Sequence, residues 1–278
     1  MQRGPEAPVE EPPTSSGAKR GGQPAAAEAA IEVAALSHSF GSLAVLERLD
    51  LEVQPGEVVG LVGPSGCGKS TLLEVVAGLL EPSSGTVRVG DQGSAAGRLA
   101  QCAYMPQRDL LLPWLAAIDN AALAPRNRGA SRTDARAEAA PLFERFGLAG
   151  FEGARPAELS GGMRQRVAFL RTLLAGKPVL LLDEPFASLD AITRAEMQEW
   201  LAGALAAQAR SAILVSHDVE ETLYLCDRVI VLSARPAIAV AELSAPSPRA
   251  LPRNLTVADP AFVARRERAL WALQEKLR

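Results

Sequence analysis

The residues best suited to chemistry lie in the segment GPSGCGKST, residues 63 to 71. This segment fits the spacing G-x-x-x-x-G-K-[ST], in which glycines let the backbone wrap closely around phosphates with its N–H groups pointing inward. Lys69 is predicted to bridge the β- and γ-phosphates of a nucleotide, and Ser70 to hold Mg²⁺ through its hydroxyl. The predicted nucleotide contacts of the segment are Gly63, Pro64, Ser65, Gly66, Cys67, Gly68, Lys69, Ser70 and Thr71.

Two carboxylates follow one another in the apolar segment VLLLDEP, residues 179 to 185. A carboxylate at the end of a buried strand beside a phosphate-binding loop commonly positions Mg²⁺, which predicts that role for Asp183. Glu184 comes next, so its side chain points the other way and is placed to activate a water for attack on the γ-phosphate. Without the phosphate-binding loop upstream, a solvated turn would explain the same acidic pair equally well.

Two further polar side chains follow short apolar segments. His217 ends AILVSH, where an imidazole could contact the γ-phosphate and Glu184, although a lone histidine at a strand end is more often structural. Gln107 lies in YMPQRDLLLPW, where its amide could sense Mg²⁺ and the attacking water. The other histidine, His38, is interpreted as structural or exposed.

A second predicted anion site lies in the stretch ELSGGMRQR. Ser160, Gly161 and Gly162 open a predicted helix, where free N–H groups and the positive end of the helix dipole favour an anion. The chain therefore carries two predicted anion sites, and the sequence pattern alone does not say what the second one binds.

The composition limits the kind of protein that carries these segments. A chain of 278 residues with a formal net charge of -3 suits one large domain or a domain with an insertion, and it gives no support to nucleic acid as a partner. Its three cysteines lie far apart without metal-ligand spacing, which fits a reducing compartment. No apolar run approaches the ~20 residues of a membrane-spanning helix, and no secretory signal is recognisable. We therefore expect a soluble or peripheral, cytoplasmic protein.

Strand and helix patterns alternate before residue 110 and after residue 178, with a helical block between them. This order predicts an α/β fold with an inserted helical subdomain at about residues 111–175. VVGLVG, residues 58 to 63, is typical of a fully buried parallel strand leading into the phosphate-binding loop. Ser131 and Asp134 predict a helix N-terminus, and Pro141 is expected to kink or split that helix.

The two ends of the chain differ from the part between them. Residues 1–29 are rich in Pro, Gly, Ser, Ala and charged residues, which predicts a disordered tail. Near the C-terminus, Asp259 and Pro260 predict the N-cap and first residue of a last helix. Its apolar side is predicted to consist of Val263, Leu270, Leu273 and Leu277. We expect this helix to pack on its own domain rather than bind a partner.

Taken together, the motifs resemble those of the ATP-binding subunits of ABC transporters, over about residues 31 to 240. Beyond the segments above, the resemblance rests on the signature LSGGM (159 to 163), on SLD (188 to 190), on SHD around His217 and on Gln107, in the family's order and approximate spacing. It implies a P-loop NTPase cassette with a RecA-like parallel-sheet core, an antiparallel β subdomain and an inserted helical subdomain. The implied division is a tail (1–29), a nucleotide-binding domain (30–245) and a C-terminal extension with the terminal helix (246–278).

The resemblance also answers the question of the second anion site. It implies a head-to-tail dimer, in which ATP held by the phosphate-binding loop of one chain is capped by the signature of the other. Ser160, Gly161 and Gly162 would then contact the γ-phosphate of ATP held by the second subunit. Asp190 would help to couple the two sites.

Two positions of the resemblance leave alternatives open. Phe40 lies where the family places an aromatic ring against adenine, and stacking needs only a flat π-face. The alternative is that Phe40 belongs to the core. Met163 stands where many members have Gln, and since it lies beyond the phosphate-binding residues we expect it to tune contacts rather than abolish activity.

A narrower resemblance comes from LLPW (111 to 114) together with DEPFASLDAITRAEMQEWL, which are similar to the nitrate, sulfonate and taurine importer ATPases and to thiamine-precursor importers. It implies a transmembrane permease as a partner, indirectly a solute-binding protein, and a location at the cytoplasmic face of the membrane. Leu110 to Leu112 and Trp114 would line the groove for the permease, unless they form a satellite core. The alternatives are the ATPase of an exporter or a soluble ABC ATPase without a transporter. No residue identifies the solute.

Overall fold

The computed structural model describes residues 1, 30–207, 210–245 and 252–275 of the 278-residue chain, without the side chains of residues 207 and 275. Apart from Met1, the predicted tail over residues 1–29 lies outside the described residues, and so does Leu277 of the last helix. The predicted division into tail, cassette and extension therefore stays a prediction.

A three-stranded antiparallel sheet begins the described part of the chain. Its strands are β1 (Ile31–Phe40), β2 (Leu43–Val53) and β4 (Ser84–Val89), in the order β2-β1-β4. Ile31 and Val33 of β1 are buried whereas Glu32 between them is exposed, because successive side chains of a strand point to opposite faces. This sheet therefore covers one side of the core with its apolar face.

A six-stranded sheet forms the centre of the molecule. It comprises β3 (Val58–Val62), β5 (Cys102–Met105), β6 (Val179–Asp183), β7 (Ser211–Val215), β8 (Arg228–Leu232) and β9 (Ala239–Ser244), in the order β5-β6-β7-β3-β8-β9. Every pairing is parallel except that of β8 with β9. The carboxyl ends of β3, β6 and β7 therefore meet at one edge, which brings the segments that follow Val62, Asp183 and Val215 together.

The central sheet is buried on both faces. Alternate residues of β6 belong to two apolar clusters, with Leu180 and Leu182 facing the helices and Val179 and Leu181 facing the antiparallel sheet. Burial on both faces explains why VLLL and VVGLV are continuous apolar runs rather than alternating ones.

Ten α-helices accompany the sheets within the described residues. They are α1 (Lys69–Val76), α2 (Ala95–Gln101), α3 (Ala117–Ala121), α4 (Leu123–Asn127), α5 (Arg132–Arg145), α6 (Gly161–Leu173), α7 (Ala191–Ala207), α8 (Val219–Leu225), α9 (Arg253–Ala258) and α10 (Pro260–Glu275). The sequence patterns did not predict α2 and α9, which are only seven and six residues long.

The helices α3 to α6 form the inserted block between β5 and β6. An ion-pair cluster holds this block together: Arg132 and Arg136 each donate hydrogen bonds to both carboxylate oxygens of Asp119. The hydrogen bonds from Arg136 and Arg132 hold the pKa of Asp119 well below its usual range. The carboxylate thereby joins the short α3 to the longer α5.

Pro141 was expected to kink or split its helix, and the split was wrong. The helix α5 begins after Ser131, whose side chain accepts from the N–H of Asp134 as predicted, but it runs through Pro141 without being split. Proline removes one backbone hydrogen bond from a helix. Buried Ala139 and Phe143 on either side pack into the core, and this packing holds both halves of α5 in one helix.

The apolar side predicted for the last helix was only partly right: Leu273 packs against the core as predicted. Asp259 caps α10 as predicted, because its carboxylate accepts from the N–H groups of Ala261 and Phe262. The fully buried residues, however, are Phe262 and Ala269, one position before the expected Val263 and Leu270, and Leu270 is 42% exposed. The side that faces the core is fixed by how α10 packs on the rest of the fold, which the apolar pattern of the helix alone does not determine.

Within the described residues, no helix combines the length and the apolar character that crossing a bilayer requires.

Candidate nucleotide site

The phosphate-binding loop connects β3 to α1 and is shaped by contacts of its own chain. Gly68 has a φ of 127°, and a Cβ at this position would lie 2.8 Å from Cγ1 of Val45, so only glycine fits there. Lys69, the first residue of α1, is buried and donates from Nζ to the carbonyls of Gly63 (2.8 Å) and Pro64 (3.0 Å). The loop therefore holds its lysine beside the N-terminus of a helix, where anions are favoured.

A cavity of about 320 Å³ opens above this loop. It collects side chains from both sheets and from the loops at the carboxyl edge of the central sheet. The residues that line it are Phe40, Leu43, Val45, Ser65, Gly66, Gly68, Lys69, Ser70, Thr71, Gln107, Asp183, Glu184 and Arg235. The cavity thus brings together residues that are far apart in the sequence, from Phe40 to Arg235.

Three of the predicted contact residues lie behind the cavity rather than in its wall. Gly63 and Pro64 offer their carbonyls to Lys69, and Pro64 also accepts from the N–H of Cys67 at 3.3 Å. The thiol of Cys67 is buried in the apolar cluster beneath the antiparallel sheet. These residues give the loop its shape, and Cys67 takes part through its backbone.

The predicted metal-binding pair lies at the floor of the cavity. Asp183 is buried at the end of β6 and accepts a hydrogen bond from the hydroxyl of Ser70. Burial raises the pKa of Asp183, whereas the bond from Ser70 and the positive charge of Lys69 lower it. A hydroxyl and a carboxylate side by side are oxygen ligands of the kind that Mg²⁺ prefers.

Glu184 is held in an unusual backbone conformation. Its φ is +50°, in the left-handed region that non-glycine residues seldom adopt and that is often associated with functional sites. Gln107 donates from Nε2 to Oε2 of Glu184 at 3.0 Å, and Nδ1 of His217 lies 3.6 Å from the same oxygen. The structure therefore brings Gln107, Glu184 and His217 together, with His217 beside the cavity rather than in its wall.

Phe40, the last residue of β1, also lines the cavity. It is 50% exposed, and its ring makes an edge-to-face contact with buried His38 at a centroid distance of 4.8 Å. Nδ1 of His38 lies 3.0 Å from the carbonyl oxygen of Glu81. This exposure is that of a ring at a cavity rim, not of a core residue.

The signature residues lie outside the phosphate-binding cavity of their own chain, as far as the described residues extend. Ser160 is the N-cap of α6 and accepts from the N–H of Met163 at 3.2 Å. Ser160 and Gly161 are exposed, and the nearest atom to a Cβ placed on Gly161 is Nη2 of Arg164 at 3.9 Å. The side chain of Met163 packs against the core. The second predicted anion site thus faces outward.

Asp190 begins the next helix in the same region. Its Oδ1 accepts from the N–H groups of Ile192 and Thr193, and the hydrogen bonds from Thr193 lower its pKa. These contacts give Asp190 a role as the cap of α7. The predicted coupling of two nucleotide sites by Asp190 remains a prediction.

The loop after Gln107 separates into buried and exposed residues. Leu111 is buried, whereas Leu110 and Trp114 are 60% and 67% exposed. Oδ2 of Asp109 accepts from Nε of Arg164 at 3.0 Å, and Arg171 donates to the carbonyls of Asp109 and Leu110. The loop is therefore fastened to α6, the helix that begins with the signature.

The sequence patterns missed several residues of the site. Val45 and Leu43 contribute from β2, which no nucleotide motif includes, and Arg235 comes from the loop after β8. Buried Gln165 donates from Nε2 to the backbone carbonyl of Glu184 at 3.4 Å. Each of these contacts joins segments far apart in the chain, so no local pattern could have identified them.

Comparisons with known proteins agree with this geometry. The family model described as ABC transporter matches residues 46–187. The formylaminopyrimidine import ATP-binding protein of Halalkalibacterium halodurans is 43% identical over 202 residues, which cover 73% of this chain and 78% of that protein. An aliphatic sulfonates import ATP-binding protein of Rhodococcus jostii is 46% identical over 203 residues, covering 73% and 79%.

A solved structure is also similar in fold. It is described as a dimeric structure of MJ0796, a bacterial ABC transporter cassette, and it is 26% identical with a TM-score of 0.71. The likeness covers 78% of this chain and 99% of that chain. The antiparallel sheet, the central sheet and the inserted helices are thus those of a known cassette fold.

Proposed function

The chain belongs to the ATP-binding subunits of ABC transporters, and on that premise we propose that it powers the import of a small solute of the nitrate, sulfonate, taurine or thiamine-precursor type. As a member of this family it is an ATPase. The relatives above, and a taurine import ATP-binding protein of Chromobacterium violaceum that is 41% identical over 229 residues (81% of this chain, 87% of that protein), are all named for import. The observation that carries the ATPase function is the cavity that joins the phosphate-binding loop to Asp183 and Glu184.

We propose that ATP lies along this cavity. Phe40 would stack on adenine at one end, since an exposed ring at the rim offers a flat π-face. The N–H groups between Ser65 and Thr71 and the ammonium of Lys69 would hold the phosphates at the other end.

Ser70, Asp183 and Gln107 would hold Mg²⁺. The adjacent hydroxyl and carboxylate at the cavity floor support this assignment. When bound, Mg²⁺ would supply positive charge that neutralises the negative charge developing on the phosphates.

Glu184 is proposed as the general base. It would take a proton from a water whose oxygen forms a bond to the γ-phosphorus as the bond between that phosphorus and the β–γ bridging oxygen breaks. Gln107 and His217 lie at the same carboxylate oxygen, and this geometry supports a role for both in orienting Glu184 and the γ-phosphate.

A complete site is proposed to need two chains arranged head to tail. Ser160, Gly161 and Gly162 would contact the γ-phosphate held by the partner chain, and Asp190 would couple the two sites. Support comes from the outward exposure of Ser160 and Gly161 and from the dimeric state named for the similar cassette.

The remaining partners are proposed to be a transmembrane permease and, through it, a solute-binding protein. Leu110 and Trp114 expose apolar side chains on the loop after Gln107, which is held by Arg171 of α6. Exposed apolar side chains on a fixed loop are suited to docking of a permease. Contact with the permease would place the protein at the cytoplasmic face of the membrane.

The proposal is tested by co-expressing the chain with a permease encoded beside its gene. We expect the two to purify together, with ATPase activity that depends on Mg²⁺ and rises when the solute-loaded binding protein is added. Profiling the cognate binding protein with sulfonates, nitrate and pyrimidines would identify the solute. An active ATPase that associates with no permease would contradict the transport function and leave a soluble ABC ATPase.

A further inference from the structure

Arg235 lies in the wall of the nucleotide cavity, although no motif of the sequence includes it. It follows β8 and lines the cavity together with Phe40, Ser65 and Lys69. Its Nε donates to the carbonyl oxygen of Gly66 at 3.0 Å, and its Nη2 donates to the same oxygen. The guanidinium is therefore fastened to the phosphate-binding loop itself.

The loop that carries Arg235 is fixed to the antiparallel sheet. The N–H of Ala237 donates to the carbonyl of Val45 at 2.8 Å, and the N–H of Glu47 donates to the carbonyl of Ala237 at 3.1 Å. Within the loop, Ser233 Oγ accepts from the N–H of Ile238 at 3.1 Å. Since Val45 also lines the cavity, the same strand that shapes the cavity sets the position of Arg235.

The charge of Arg235 is not neutralised by the described residues, because none of their carboxylates forms an ion pair with it. A guanidinium has five N–H donors in one plane, and a single carbonyl oxygen occupies only some of them. Arg235 is moreover exposed rather than packed away. An oriented arginine with free donors beside a phosphate-binding loop is suited to bind phosphate oxygens.

We propose that Arg235 binds the phosphate chain of the nucleotide held by the loop at residues 63 to 71. The contact rests on the proposed ATP site and adds a cation from outside the motif. The carbonyl of Gly66 orients the guanidinium, and the remaining N–H groups donate to phosphate oxygens. A ligand with the phosphate chain alone therefore depends on Arg235, whereas a contact to the base would not affect such a ligand.

The test compares full-length Arg235→Gln and Arg235→Lys with the wild-type chain. Arg268→Gln is the matched control, because Arg268 is an exposed arginine on α10 outside the cavity. Dissociation constants for ATP, ADP and inorganic tripolyphosphate are measured by competition with a fluorescent nucleotide, and the melting temperature is measured for each variant. We expect Arg235→Gln to weaken all three ligands by roughly ten-fold, equivalent to about 1.4 kcal/mol. The lysine variant should lose less, and Arg268→Gln should bind as the wild type does.

Three results would overturn the proposal. If Arg235→Gln bound all three ligands as the wild type does, with an unchanged melting temperature, Arg235 would make no contact with phosphate. If the affinities were unchanged but the melting temperature fell, Arg235 would only stabilise the loop. Weaker ATP binding with unchanged tripolyphosphate binding would move the contact to the base. If the wild-type chain bound no ATP, the proposed function itself would fail, and that outcome is visible before any variant is compared.

Discussion

The phosphate-binding loop and the signature both place glycines and N–H groups at the start of a helix, but their surroundings differ. At the loop, Lys69 is buried and Gly68 is pressed against Val45. At the signature, Ser160 and Gly161 are exposed, and a Cβ on Gly161 would have ample room. Two similar local patterns therefore produce one site enclosed by its own chain and one surface that faces outward, which suits a ligand held by another molecule.

The largest effects are expected at the two sites themselves, and Glu184→Gln breaks the enclosed one. The amide keeps the shape of the side chain but cannot accept the proton, so kcat should fall by about 10²- to 10⁴-fold while ATP binding persists. Phosphate release, nucleotide binding and the elution volume with ATP measure the three consequences, and we expect a longer-lived dimer. Glu267→Gln, an exposed change on α10, is the control. Near-normal turnover by Glu184→Gln would remove Glu184 from its role.

The outward-facing site is broken by Ser160→Arg, which should abolish hydrolysis and leave ATP binding to the isolated monomer intact. Ser131→Arg is a matched control, because Ser131 caps α5 as Ser160 caps α6, and each loss of a cap costs about 1 kcal/mol. If monomeric Ser160→Arg lost ATP binding and Ser131→Arg did not, the signature would bind the nucleotide of its own chain instead.

Mixing two inactive variants tests by recovery of activity whether the signature completes the site of the partner chain. In a mixed dimer of Lys69→Ala and Ser160→Arg, one site has both defects and the other has neither. If the signature acts across the interface, the mixture should recover up to roughly a quarter of wild-type activity, since about half of randomly paired dimers are mixed and each has one intact site. A mixture as inactive as its components would oppose this arrangement.

Features that depend on local patterns of strand and loop could be predicted from the sequence, whereas features that depend on particular contacts between distant segments could not. The meeting of Asp183 and Glu184 with the loop at residues 63 to 71 in one cavity was predictable, because each group follows a buried parallel strand whose carboxyl end lies at the same edge of the sheet. Arg235 was not, because its place depends on hydrogen bonds from its loop to β2. The failed expectation that Pro141 would split its helix has a similar origin, since Phe143 beyond it packs in the core and tertiary packing can override the local preference of proline.

The same substitution, glycine to alanine, compares the phosphate-binding loop with the signature. Gly68→Ala introduces a Cβ 2.8 Å from Val45 at a φ of 127°, so strain and overpacking should cost about 1–3 kcal/mol and weaken ATP binding by the monomer. Gly161→Ala meets only Nη2 of Arg164, at an unstrained 3.9 Å, and should leave the melting temperature and monomer binding unchanged, with reduced hydrolysis only. Thermal unfolding and nucleotide titration of both variants test this. Weakened monomer binding by Gly161→Ala would erase the difference between the two regions.

The smallest effect is expected at the link between the loop after Gln107 and the signature helix, the pair of Asp109 and Arg164. Their side chains are 31% and 36% exposed, so solvent screens the charges and the pair should contribute about 0.2–1 kcal/mol. A double-mutant cycle with Asp109→Asn and Arg164→Gln should therefore give a coupling of at most about five-fold in ATPase rate. Because neither residue lines the cavity, monomer affinity for ATP should not change. Additive effects would mean that movement of the loop after Gln107 reaches the signature through the contacts of Arg171 with the loop carbonyls instead.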